Sequence, residues 1–249
     1  MVKYSIGSVQ NVKNMKINKV TMTGADDSIN PNELFEISKK YPFVEWGILV
    51  SRNSQGNNRF PSIEWMNKLS ELNTDNLSLS CHLCGTYVKE VFMGNDTFIN
   101  ELGSIWNQFQ RVQINTHGYK HKFEESAITD LKKFEKEIIF QFDGVNKPIL
   151  DYAISEGVNC STLFDMSHGA GVLPKEWLLP IDGIRCGYAG GLSPENVVGQ
   201  LKLIDEKVGD YELWIDMETQ IRSNNDQKFD LTKVISVLES CINTGLIIK

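Results

Sequence analysis

The sequence predicts an α/β chain folded as a single (β/α)8 TIM barrel, and three observations predict it. Short β-rich runs alternate with stretches whose apolar residues recur at helical spacing, the runs number eight, and almost every one stops at a polar or glycine-bearing turn. An open doubly wound sheet would show the same alternation. The barrel is favoured because its strands all point one way, so that their C-terminal ends share one rim. Here those ends carry Thr23, Ser51, His82, Asn115, Asp143, Asp165, the Gly190-Gly191 pair and Asp216.

The expected strands are Val20 to Thr23, Trp46 to Ser51, Leu77 to Leu83, Val112 to Asn115, Ile138 to Phe142, Ser161 to Asp165, Gly183 to Cys186 and Glu212 to Asp216. Between them the helical pattern covers Asn32 to Lys40, Ser62 to Leu72, Thr97 to Phe109, Glu124 to Lys136, Ile149 to Glu156, Pro194 to Lys207 and Leu231 to Cys241. Only Lys175 to Leu179 stands between the sixth strand and the approach to the seventh, so a shortened sixth helix is expected there. Ser193 before Pro194 reads as a helix start, with the hydroxyl capping and the proline in the first turn. No low-complexity linker interrupts the pattern, which makes residues 1–249 one domain, with 1–18 an N-terminal extension before the first strand.

The 249 residues carry a formal net charge of -7, which argues against a nucleic-acid groove, since phosphate backbones reward clustered Lys and Arg. Met1 to Lys19 is polar and basic, and no apolar run reads as a signal peptide or membrane span, so a cytoplasmic protein is the default expectation. Five scattered cysteines suit reduced thiols rather than a disulfide framework. Cys81 and Cys84 flank His82 in a zinc-like spacing, but on a strand they point to opposite faces and no second pair completes four ligands. Neither metal nor cofactor is expected. A small phosphorylated ligand is the expected partner, bound by a monomer or homodimer.

The strongest local signal is Ala189-Gly190-Gly191-Leu192-Ser193-Pro194-Glu195-Asn196-Val197, after the seventh strand and opening a helix. Paired glycines let main-chain N–H groups approach an anion, and a helix N-terminus adds partial positive charge. The same residues also make an ordinary tight turn. Their place after strand seven favours phosphate, with Gly190, Gly191, Ser193 and Asn196 as its holders.

Leu163-Phe164-Asp165, then His168-Gly169-Ala170-Gly171, Trp177, Gly190 to Val197 and Ile215-Asp216 resemble the C-terminal half of the phosphoribosylanthranilate isomerase family. Val20-Thr21-Met22-Thr23-Gly24, Arg59-Phe60-Pro61-Ser62 and Val112-Gln113-Ile114-Asn115 are similar to its N-terminal motifs. The resemblance implies that Asp165 is the general acid of an Amadori rearrangement. It implies further that Arg59 holds an anthranilate-like carboxylate, that Asp216 binds substrate, and that Gly169 and Gly171 join the phosphate site.

Three departures stand against it. Thr23 replaces the family's strand-one cysteine base, and a threonine hydroxyl is a weak base at neutral pH. Met217-Glu218-Thr219-Gln220 replaces small residues after strand eight, where a carboxylate beside a phosphate needs Arg222 or a metal to offset it. His168 and Ala170 alter the loop after strand six. New polar groups gather on the rim in exchange, and a histidine can serve as base. The expected catalytic set is therefore Asp165, Thr23, His82 and His117, and the substrate-binding set Arg59, Asn115, Asp143, His168, Asp216 and Glu218. Two functions fit: an isomerase or lyase acting on a phosphosugar or nucleotide derivative, and a non-catalytic protein that captures such a metabolite.

Overall fold

Strand β2 (Val44–Val50) shows how the sequence builds the barrel wall, since all seven of its residues are buried. Val44, Trp46, Ile48 and Val50 enter the large core between strands and helices, while Glu45 bonds to Thr21 and Arg111 from neighbouring strands. A strand covered on both faces must be apolar outward, but inward it can hold polar groups that pair with one another. The barrel interior here is largely of that polar kind. Among the described residues its own apolar cluster comprises Ile139, Leu163, Ala189 and Trp214.

The computed structural model describes residues 14–72, 77–116, 123–167 and 170–248. Parallel strands β1 (Lys16–Thr23), β2, β3 (Leu79–Leu83), β4 (Arg111–Ile114), β5 (Glu137–Phe142), β6 (Cys160–Phe164), β7 (Cys186–Tyr188) and β8 (Glu212–Met217) pair in sequence order. β8 pairs with β1, closing the barrel. Outside lie α1 (Pro31–Lys40), α2 (Ile63–Ser70), α3 (Thr86–Phe92), α4 (Phe98–Leu102), α5 (Glu125–Asp130), α6 (Lys147–Ser155), α7 (Val197–Val208) and α8 (Leu231–Asn243). None of the helices among the described residues is long and apolar enough to cross a membrane.

Side-chain caps begin several helices where the sequence offers them. Asn30 accepts from the Asn32 amide while Glu33 reaches back to the Asn30 amide, Ser62 accepts from Trp65 N, and Asp230 accepts from Thr232 N and Lys233 N. Such a cap stabilises a helix by about 1 kcal/mol.

Four expectations are corrected. The seventh strand is Cys186–Tyr188, later than Gly183 to Cys186, because Gly187 is an interior strand residue: a Cβ there would overlap the Trp214 indole. Helix α7 begins at Val197 rather than Pro194. Asn196 Oδ1 accepts from the Ser193 amide and its Nδ2 donates to Gly191 O, so a turn held by Asn196 precedes the helix. The segment 175–179 forms no helix, whereas Thr86–Phe92 does, and a short hairpin of β9 (Arg222–Ser223) and β10 (Lys228–Phe229) follows β8. The first strand starts at Lys16, taking in residues assigned above to the extension.

Candidate functional site at the barrel rim

A pocket of about 150 Å³, open to solvent, lies over the C-terminal strand ends. Thr23, His82, Asn115, Asp165, Gly171, Gly190, Gly191, Asp216 and Glu218, all expected site residues, line it.

At its floor Thr23 Oγ1 donates to both oxygens of Asp216, at 3.0 and 3.1 Å. Burial holds the Asp216 carboxyl well above the usual carboxylate range, and the nearby carboxylates of Glu218, Glu45 and Asp165 push it the same way, against the pull of the Thr23 bond. Glu218 is also raised by burial, with Arg59 opposing.

His82 is buried at 1% exposure, and its Nε2 has no partner. Burial first, and the Arg111 charge second, pull its imidazole down to about 3, so the ring is neutral at physiological pH. A Cβ at Gly47 would overlap Thr23 Oγ1 and crowd His82, so that glycine makes room for both side chains.

Asp165 Oδ1 accepts from the amide and hydroxyl of Ser167 at 3.0 and 2.7 Å, and its Oδ2 accepts from Gln141 Nε2 at 2.9 Å. Ser167, Gln113, Gln141 and Gln220 line the pocket and were missed from sequence. The glutamines carried a readable signal. Val112-Gln113-Ile114 and Phe140-Gln141-Phe142 alternate apolar and polar, which points each amide into the barrel.

The glycine loop is narrower than expected as an anion cradle. The amides of Ser193, Asn196 and Val197 are already bonded within the protein, and Ser193 and Asn196 do not line the pocket. Gly190, Gly191 and Leu192 do line it, and their amides donate to no protein acceptor among the described residues. Gly191 has φ of +67°, and a Cβ there would overlap the Leu173 backbone, so only glycine lets this loop pack against the one after β6.

Arg59 is engaged elsewhere. Its guanidinium donates to Glu218 Oε1 at 2.6 Å and to both oxygens of Asp226, while Arg222 pairs with Asp26 at 2.6 Å and Asp226 at 2.8 Å. Glu218 is thus offset by Arg59, not by Arg222. Asp143 accepts from the amides of Val145 and Asn146 and lies away from the pocket lining. His117, His168 and Gly169 lie outside the described residues.

Among the described residues no group of three His, Cys, Asp or Glu side chains is arranged to hold a metal. Burial pushes the Cys84 thiol up to about 12, so it is no thiolate, and its sulfur accepts from Asn115 Nδ2.

No protein-family model matches the chain, and no curated protein matches it in sequence. Solved structures do. Phosphoribosylanthranilate isomerase from Thermus thermophilus is 15% identical with a TM-score of 0.59, over 91% of this chain and 99% of that one. The Thermotoga maritima isomerase is 16% identical at 0.57, over 91% and 100%. The chain shares the (β/α)8 barrel fold of these isomerases. TrpF from Jonesia denitrificans (12% identical, TM-score 0.58, 91% and 98% covered) aligns with the same barrel. So does a DAHP synthase, a phospho-2-dehydro-3-deoxyheptonate aldolase from Thermotoga maritima, at 10% identity and 0.54 over 97% and 73%. The shared barrel agrees with the resemblance read from the sequence motifs, and the rim pocket lies at the strand ends where barrels of this type carry their sites.

Proposed function

We propose that this barrel binds a small phosphorylated sugar or nucleotide derivative in the rim pocket and rearranges it by proton transfer, as an isomerase or lyase. One observation carries the reading: two buried carboxyls, Asp165 and Asp216, line one pocket in unlike surroundings. Asp216, desolvated and met by one hydroxyl, is suited to hold and donate a proton; Asp165, met by three donors, is suited to receive one. The acid role that the resemblance put on Asp165 passes in this reading to Asp216. Thr23 is a positioning residue that orients Asp216, and neutral His82 offers a hydrogen bond rather than a charge. The amides of Gly190, Gly191 and Leu192 receive the phosphate.

One feature favours a second reading, capture without turnover. Thr23 stands where the family's base would stand, and its hydroxyl is committed to Asp216.

A thermal-shift screen of phosphosugars and nucleotides beside their unphosphorylated counterparts, followed by product analysis, tests both. A ligand at a hundred times its Kd stabilises the fold by about 2.7 kcal/mol. Stabilisation with conversion supports the enzyme, stabilisation alone supports capture, and no stabilisation by any phosphorylated compound contradicts both.

A further inference from the structure

One wall of the rim pocket carries three polar side chains that the fold leaves unsatisfied. His82 of β3, Gln113 of β4 and Gln141 of β5 line the pocket from successive strands, and His82 and Gln113 stand side by side in the strand register. The three residues are 1%, 4% and 6% exposed, and His82 Nε2, Gln113 Oε1 and Gln141 Oε1 have no hydrogen-bond partner among the described residues. Buried polar atoms are nearly always satisfied, by protein, water or ligand.

The opposite ends of the two amides are committed to the protein. Gln141 Nε2 donates to Asp165 Oδ2 at 2.9 Å, and turning this amide around would set its carbonyl oxygen against a carboxylate oxygen. Gln113 Nε2 donates to Asn115 Oδ1 at 2.8 Å, while Asn115 Nδ2 donates to Cys84 Sγ at 3.1 Å. Each glutamine therefore spends its nitrogen on a neighbour and leaves its carbonyl oxygen for a donor. A phosphate at neutral pH is chiefly an acceptor and does not supply one. A hydroxyl does: it donates to a carbonyl, and because it also accepts, it answers the His82 nitrogen in either tautomer.

We infer that His82, Gln113 and Gln141 form a hydroxyl-reading subsite, so that the ligand is a polyhydroxylated sugar phosphate whose hydroxyls pack against β3 to β5 while its phosphate meets the amides after β7. Gln141 is the specificity-determining residue of the three. Its nitrogen holds Asp165 and its oxygen takes a ligand hydroxyl, which sets a hydroxyl-bearing carbon beside the carboxylate that receives the proton. This rests on the phosphosugar reading above.

The test is calorimetric titration of the full chain at pH 7 with glucose 6-phosphate, ribose 5-phosphate, glucose, and hexyl phosphate, which has the charge and no hydroxyl on its chain. The better of the two sugar phosphates is expected to bind at least about tenfold more tightly than hexyl phosphate. Gln141→Leu and Gln113→Leu are each expected to shrink that ratio by weakening the sugar phosphate and leaving hexyl phosphate unweakened, a split that general damage to the fold would not produce. Gln113→Leu serves as the independent arm, because its amide does not hold Asp165. Hexyl phosphate binding as tightly as the sugar phosphates, or variants that weaken all phosphates alike, overturns the hydroxyl subsite and leaves anion binding after β7 standing. Glucose binding as tightly as glucose 6-phosphate overturns the phosphosugar reading and, with it, the assigned substrate class. Binding of none overturns both.

Discussion

Asp216→Asn is expected to lower turnover at least a hundredfold while leaving ligand affinity within about tenfold, and to make the fold more stable at neutral pH. The stability gain follows from linkage. A carboxyl whose folded pKa is raised is protonated in the native state over a pH range where the unfolded chain has already ionised. Below the unfolded value, about 3.9, both states hold the proton and the group costs nothing. As pH rises from there, stability is lost at up to roughly 1.4 kcal/mol per pH unit, until the native carboxyl ionises too and the loss levels off. Asparagine is isosteric, keeps an oxygen for the Thr23 hydroxyl and carries no titrating proton. The difference between the two proteins in urea-unfolding free energy should therefore vanish near pH 3 and widen as pH rises. A difference that stays flat across pH means that Asp216 does not hold its proton, and its assignment as donor fails.

Glu45→Ala is expected to destabilise the barrel by about 3 to 5 kcal/mol, the cost of leaving a buried charge without its partner. Arg111 donates to Glu45 through Nε at 2.9 Å and Nη2 at 2.5 Å, with side chains only 5% and 1% exposed, and its guanidinium lies 4.5 Å over the Trp214 ring. Thr21 Oγ1 also donates to Glu45, at 2.9 Å, and loses its acceptor. Glu137, at 3.8 Å from Arg111, compensates in part and places the loss toward the lower end of that range. Glu45→Leu combined with Arg111→Met should recover most of it, because apolar groups of similar volume carry no desolvation cost. Shifts in the urea midpoint at constant slope report both. A loss below about 1 kcal/mol for the single variant would mark the pair as behaving like an exposed one.

The barrel was legible because each strand pairs an outward apolar series with a punctuating turn, and this local pattern repeats along the chain. The seventh strand slipped because Cys186-Gly187-Tyr188 reads as a turn until Trp214, distant in sequence, is seen to need the missing side chain. Helix α3 was missed because it is one short run after Gly85, with no side-chain cap to announce it. At the rim, the positions of Thr23, Asp165 and Asp216 follow from strand ends alone. What Arg59 does was hidden, since Glu218 and Asp226, which occupy it, lie more than 150 residues away. The cap expected of Ser193 failed for a local reason: its hydroxyl bonds to the Glu195 side chain, and Asn196 organises the turn instead.

Whether the main-chain amides after β7 receive an anionic group can be read from amide resonances during titration of the isotopically labelled chain with glucose 6-phosphate. The resonances of Gly190, Gly191 and Leu192 should move in a saturable way, with those of Ser193, Asn196 and Val197, already bonded inside the protein, moving less. Saturable binding that leaves the first three amides unmoved would contradict it.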